Sequence, residues 1–285
     1  MTGSIIRIRH FTDPGCPWAF SAEPRRLRLE WLFGDQLEWQ LRMVVLAHSP
    51  AEYAEKGFTP EKQSAGYKTL QRDYGMPIDW RERPRMAGTA DACRAVVAAR
   101  LNASGAEAAL LRRLRVLCMG GGLLDDPSVL TQAAAETGLD PSELERWSRT
   151  QEVEAELQAD RSATRTPSPA ARALDHKLAG PAEERRYTCP SLELEAADGG
   201  ARIDLPGFQP VEASEAAIAN LAPQLERRLA PESVAEVLAW AAMPLATVEV
   251  AMVMGGEVAD TRRELAGSGA WFEPVGGDGY WSAAS

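Results

Sequence analysis

The chain has 285 residues, 45% hydrophobic and 25% charged, the composition of a soluble globular protein rather than a disordered one. That length allows one large domain or two ordinary ones. A formal net charge of −10 disfavours general nucleic-acid binding, which needs clustered Lys and Arg, and equally disfavours docking on anionic membranes. The start, MTGSIIRIRHFTDP, lacks a charged region ahead of a long apolar stretch, and no run approaches about 18 apolar residues. A signal peptide and a membrane span are therefore not expected, and a cytoplasmic location is. Cys16, Cys93, Cys118 and Cys189 lie far apart with no CxxC, and His10, His48 and His176 are scattered. Neither a metal site nor a resting disulfide follows from such spacing.

SIIRIRHF alternates as a strand does, and a loop, TDPGCPWAFSAEP, follows it. AFSAEPRRLRLEWLFG reads as a helix to Gly34, kinked at Pro24, and LEWQLRMVVLA as a second strand. From about 51 to 180 the pattern is helix after helix. Asp126 and Asp140 stand as N-caps before Pro127 and Pro141, and Glu143 is placed to close a capping box. Strands return at SLELEA and ARIDLPG around the turn ADGG, and VEASEAAIANLAPQLERRL is again an amphipathic helix. This α/β order is that of a thioredoxin-like sheet, 1–50 and 181–230, with a large all-helical insertion at 51–180.

Residues 231–285 read as a separate small unit. A helix capped by Ser233 and Glu236, two more short helices and a hairpin around Gly276, Gly277, Asp278 and Gly279 give a winged-helix-like plan. Trp271, Tyr280 and Trp281 would form the hairpin's own small core. Two arginines stand against eight carboxylates in this stretch, and Glu257, Asp260 and Glu264 flank Arg262 and Arg263 on the third helix. Phosphates would be repelled, so the module is expected to pack, to form a lid or to join copies of the chain rather than to read DNA.

Cys16 sits where a strand turns into a helix, where backbone donors and the helix dipole favour a thiolate. Pro17 suits the first turn, and Trp18 could wall off the sulfur and offer a flat surface to a substrate. Further on, RYTCPSLEL places Cys189 and Pro190 just before a strand, a place where a cis Cys189–Pro190 bond would be a deliberate feature. A trans proline opening an edge strand competes on local sequence. Cys93 and Cys118 fall on apolar helix faces and read as core residues. His10 and Asp13 flank the motif and could tune Cys16, although such residues are more often structural; His48 ends the second strand. No Gly-rich phosphate loop or serine elbow appears.

DPGCPWAF after the first strand and TCPSLEL before a later one resemble the DsbA-like branch of the thioredoxin superfamily. The nearest likeness is to FrnE-type proteins, which are grouped with 2-hydroxychromene-2-carboxylate isomerases and kappa-class glutathione transferases. The resemblance covers about residues 4 to 225. It implies that Cys16 is the nucleophile and Pro190 the cis-proline beside the substrate, with Pro17, Trp18 and Thr188 lining the binding surface. It also implies a low-molecular-weight thiol cofactor, glutathione or mycothiol; from the Cys and His spacing and the missing phosphate loops, neither metal nor nucleotide is expected. The partner would be a small thiol or electrophile, or a protein thiol.

Ala19 departs from the family, whose dithiol members carry a second cysteine there. Three readings remain. Cys16 works alone with a small thiol in exchange, transfer or isomerisation. Alternatively, Cys189 replaces the missing partner. Finally, the domain keeps the pocket only to bind and assemble, with the C-terminal module as a homo-oligomer contact.

Overall fold

The computed structural model describes residues 6–284. Ser4 and Ile5, where the first strand was expected to begin, lie outside the described residues. Strands β1 (Ile6–Thr12) and β2 (Leu37–Met43) run parallel and are joined by α1 (Pro17–Ser21) and α2 (Glu23–Phe33). The kinked helix expected here is two helices. Pro24 needs no backbone partner in the first turn of α2, while α1 closes when the Ala22 N–H reaches the Trp18 and Ala19 carbonyls.

The insertion comprises α3 (Pro50–Glu55), α4 (Pro60–Tyr74), α5 (Ala90–Asn102), α6 (Ala106–Met119), α7 (Pro127–Glu136), α8 (Pro141–Ser148), α9 (Gln151–Thr164) and α10 (Pro169–Ala173). Asp126 accepts from the Ser128 N–H, and Asp140 from those of Ser142 and Glu143. Glu143 pairs with Arg146 one turn on instead of closing its capping box. Alanine-rich α5 is buried almost all round, and its small side chains let α6, α8 and α9 close on it. No helix among the described residues is long and apolar enough to cross a membrane.

Two short strands, β3 (Leu178–Ala179) and β4 (Arg186–Tyr187), pair ahead of β5 (Ser191–Ala196) and β6 (Arg202–Leu205). The main sheet has the order β2-β1-β5-β6, with β5 antiparallel to both neighbours. The next helix, α11 (Val211–Leu221), ends earlier than the apolar pattern suggests. Pro223 is the reason, because it biases Ala222 out of the helical region.

The C-terminal module contains α12 (Val234–Ala241), β7 (Leu245–Ala246), α13 (Thr247–Met254), α14 (Val258–Gly267), β8 (Trp271–Val275) and β9 (Asp278–Ser282). Its sheet has the order β7-β9-β8. Helix α13 packs on α2, and Val250, Val253 and Trp281 share one core with Ile8, Leu27 and Trp31. Arg112 of α6 makes a buried, two-pronged ion pair with Glu249 of α13 at 2.6 and 2.8 Å. The three aromatics expected to form one hairpin core do not. Trp271 is 72% exposed, because β8 is an edge strand whose alternation turns Phe272 onto Trp281, 4.4 Å between ring centres. Tyr280 instead packs with Phe20 and Met76. The hairpin turn lies against the insertion so closely that a Cβ on Gly276 would stand 2.1 Å from the Ile78 carbonyl oxygen.

Candidate active site

The site forms where β1 ends and α1 begins. Asp13 fixes the loop between them. Its carboxylate is fully buried and accepts from the N–H groups of Gly15 (2.7 Å) and Leu46 (2.9 Å) and from the Thr89 hydroxyl (2.8 Å). The Cys93 thiol also donates to it, at 3.5 Å, so this cysteine holds the loop from α5. Burial pushes the Asp13 carboxyl above its ordinary range, and the two backbone bonds hold it down in part. Thr12, at the end of β1, is held by buried Arg115, which also pairs with Glu23 at the start of α2.

Cys16 is the N-cap of α1 and only 4% exposed. Its sulfur accepts from the Ala19 N–H at 3.4 Å, and its thiol donates to the Cys189 carbonyl at 3.4 Å. The Cys189–Pro190 peptide bond is cis. All four cysteines are free thiols. Burial works against ionisation of Cys16, but the Cys189 thiol and the Ala19 N–H, both donating to the thiolate, outweigh it and bring the Cys16 pKa down. The same contact and burial push the Cys189 thiol well up. Of the two sulfurs, Cys16 gives up its proton first and Cys189 keeps one.

The other cysteines are quiet. Burial beside Asp13 raises Cys93 well above its ordinary value, and burial takes Cys118 up to about 12. His10, on β1, is held to about 3 by burial and by Arg115, so it is neutral at physiological pH. His48 is also lowered, by burial and by Arg161, and bonds through its backbone to Glu52 at the start of α3.

Of the residues named from sequence, Cys16, Cys189 and Pro190 come together, and Pro17 opens α1 beside them. Trp18 is 43% exposed and meets Tyr74 and Phe208 edge to face, 5.6 and 5.3 Å between ring centres. The Thr188 hydroxyl donates to the Lys177 carbonyl at 3.0 Å, so it is engaged within the protein. Sequence reasoning missed Phe208, Tyr74 and Arg25, whose guanidinium lies 3.6 Å from the Phe208 ring centre. These residues come from three elements, and no local spacing links them. A larger cavity, about 570 Å³, lies among α5, α7 and α8. No motif residue lines it, and its Arg94 is paired with Asp91 and Glu154.

The described chain resembles several solved structures. The cytosolic disulfide reductase DsbM of Pseudomonas aeruginosa matches 76% of this chain and 100% of its own, at 20% identity and a TM-score of 0.54. A protein of Nitrosomonas europaea assigned as a protein disulfide isomerase matches 78% and 99%, at 16% identity and a TM-score of 0.58. At such identities the likeness speaks for the fold. Among curated proteins none matches. The model of the DSBA-like thioredoxin domain matches residues 7–166, which hold the motif loop and most of the insertion. With a thioredoxin-like sheet, a thiol at the strand–helix junction and this match over more than half its length, the chain belongs to the DSBA-like thioredoxin domain family of thiol-dependent oxidoreductases and isomerases.

Proposed function

We propose that Cys16 is the nucleophile of thiol–disulfide exchange or thiol-dependent isomerisation, working with a low-molecular-weight thiol such as glutathione or mycothiol. The observation that carries this reading is the pairing of Cys16 with two donors, the Ala19 N–H and the Cys189 thiol, which favour its thiolate despite burial. In exchange, the Cys16 thiolate attacks one sulfur of a substrate disulfide. A bond forms between Cys16 and that sulfur, the substrate S–S bond breaks, and the departing thiolate takes a proton. A second molecule of small thiol then attacks the mixed disulfide and restores Cys16.

The position of Cys189 favours a second route. After losing its proton, Cys189 attacks Cys16 in the mixed disulfide, expels the bound thiolate and leaves a Cys16–Cys189 disulfide. Two electrons from a small thiol or a protein dithiol reset it. In this route Cys189 does the work that Ala19 does not allow at its own position. We place the protein in a reducing cytoplasm, which would return Cys16 to its thiol between turnovers. A structure of DsbM with GSH is among the similar ones, which makes glutathione the first thiol to test.

Protein isolated without reductant and mapped by mass spectrometry tests both routes. The reading expects an adduct on Cys16 that names the thiol, or a linked Cys16–Cys189 peptide, and exchange activity that Cys16→Ser abolishes. Equal exchange by wild type and Cys16→Ser would overturn it.

A further inference from the structure

A cavity of about 40 Å³ is lined by Pro190, the residue after Cys189. His10, Glu23, Arg25, Trp39 and Gln209 line it too, and the Glu23 carboxylate there is already paired with Arg26 and Arg115. A space of that size seats a few waters or one small polar group. Three of these residues carry a buried polar atom with no partner in the protein: Arg25 Nη1, Trp39 Nε1 and His10 Nδ1. Buried polar groups are normally paired, and three unpaired ones around one small cavity call for a ligand group that pairs them.

The chemistry of the three atoms selects that group. The arginine and indole nitrogens can only donate, and the neutral imidazole can donate as well. On α2 the neighbouring arginines are neutralised, Arg26 by Glu23 and Glu30, and Arg28 by Glu215. Arg25 has no carboxylate within ion-pair distance among the described residues. Phe208 lies under its guanidinium, and that ring also meets Trp18, two residues after the motif cysteine. The charged fork is therefore fixed on an aromatic group that includes Trp18, in the helix that Cys16 caps.

The geometry points to a carboxylate-recognition subsite: Arg25, with the Trp39 indole and His10, receives a carboxylate of the small thiol or disulfide whose sulfur reacts at Cys16. This deepens the proposed function and rests on the reading of Cys16 as the reactive thiol. An arginine fork matches a carboxylate with two parallel bonds, whereas a neutral substituent leaves the donors unpaired.

Two aromatic disulfides of similar shape provide the test, anionic dithiobis(nitrobenzoate) and neutral dithiodipyridine. Reaction at Cys16 is the difference between each protein and the same protein carrying Cys16→Ser. Arg25→Gln should slow the anionic probe about tenfold, the worth of a charge-assisted bond, while leaving the neutral probe within about twofold. Trp39→Phe keeps the ring and removes the N–H, and should slow the anionic probe about threefold, again sparing the neutral one. Equal slowing of both probes, or of neither, in both variants would overturn the subsite and leave the reactive thiol standing. A neutral probe that reacts no faster with wild type than with Cys16→Ser would overturn the proposed function itself.

Discussion

Replacing Cys189 by alanine takes away one of the two donors that favour the Cys16 thiolate and leaves its burial unchanged. Burial is the largest influence on Cys16 and opposes ionisation; the Cys189 thiol is the next, and the Ala19 N–H follows. A hydrogen bond to an ionised group is worth about 1.5–3 kcal/mol, so the thiolate population at neutral pH should fall about tenfold to a hundredfold. The more basic sulfur is a better nucleophile, with a Brønsted slope of about 0.4–0.5, which recovers part of the loss. The net expectation is alkylation of Cys16 slowed about three- to tenfold at neutral pH. The assay is the rate of iodoacetamide labelling of Cys16 against pH. The midpoint should move to higher pH in Cys189→Ala, and the plateau at high pH should be equal or faster. An unchanged or lower midpoint would refute the donor role of Cys189, and with it the reason this buried thiol ionises.

Ala19→Cys should restore a partner one helical turn from Cys16, and mild oxidation should link the two, seen in peptide maps as loss of two hydrogens from the motif peptide. Glu249→Ala should destabilise the fold by about 3 kcal/mol in denaturant titration, because it leaves Arg112 buried between α6 and α13 with only the longer contacts to Glu23, at 3.8 Å, and to the Pro244 carbonyl, at 3.4 Å. His10, with its pKa near about 3 when folded and near 6.5 when unfolded, binds its proton mainly in the unfolded chain between these values. Stability should therefore fall as pH drops through that window, by up to about 1.4 kcal/mol per pH unit, and His10→Gln should flatten the slope between about pH 6.5 and 4.5. Asp13→Ala leaves the Gly15 N–H without its acceptor, and the Leu46 N–H and the Thr89 hydroxyl with only their longer bonds to Thr89 Oγ1, at 3.2 Å, and to the Ala47 carbonyl, at 3.5 Å; it should cost about 2–3 kcal/mol.

The motif loop was legible because its chemistry is local. A cysteine after an alternating strand, then a proline suited to a first turn, predicts an N-cap thiol, and that is where Cys16 stands. The insertion was legible in its caps for the same reason, as Asp126 and Asp140 show. What escaped depends on tertiary contact. Cys189, 173 residues from Cys16, was named only through the family resemblance, and no spacing rule says that its thiol will lower the pKa of Cys16. Cys93 looked like one more small core residue, and only the fold brings its thiol to Asp13. The aromatic wall takes Trp18 from α1, Tyr74 from α4 and Phe208 from the loop after β6, so a pattern within any one segment could not reveal it. Trp271 was misjudged because composition marks an aromatic as buried, while the alternation of an edge strand decides which one is.

The central claim is that one of four thiols is set apart for chemistry. Timed labelling with a limiting amount of iodoacetamide at neutral pH, followed by peptide mass spectrometry of all four cysteines, tests it most directly. The account predicts that Cys16 is modified first, even though only 4% of it is exposed, and that Cys93, Cys118 and Cys189 follow far behind because burial keeps them protonated. Four similar rates, or Cys16 slower than Cys118, would contradict it.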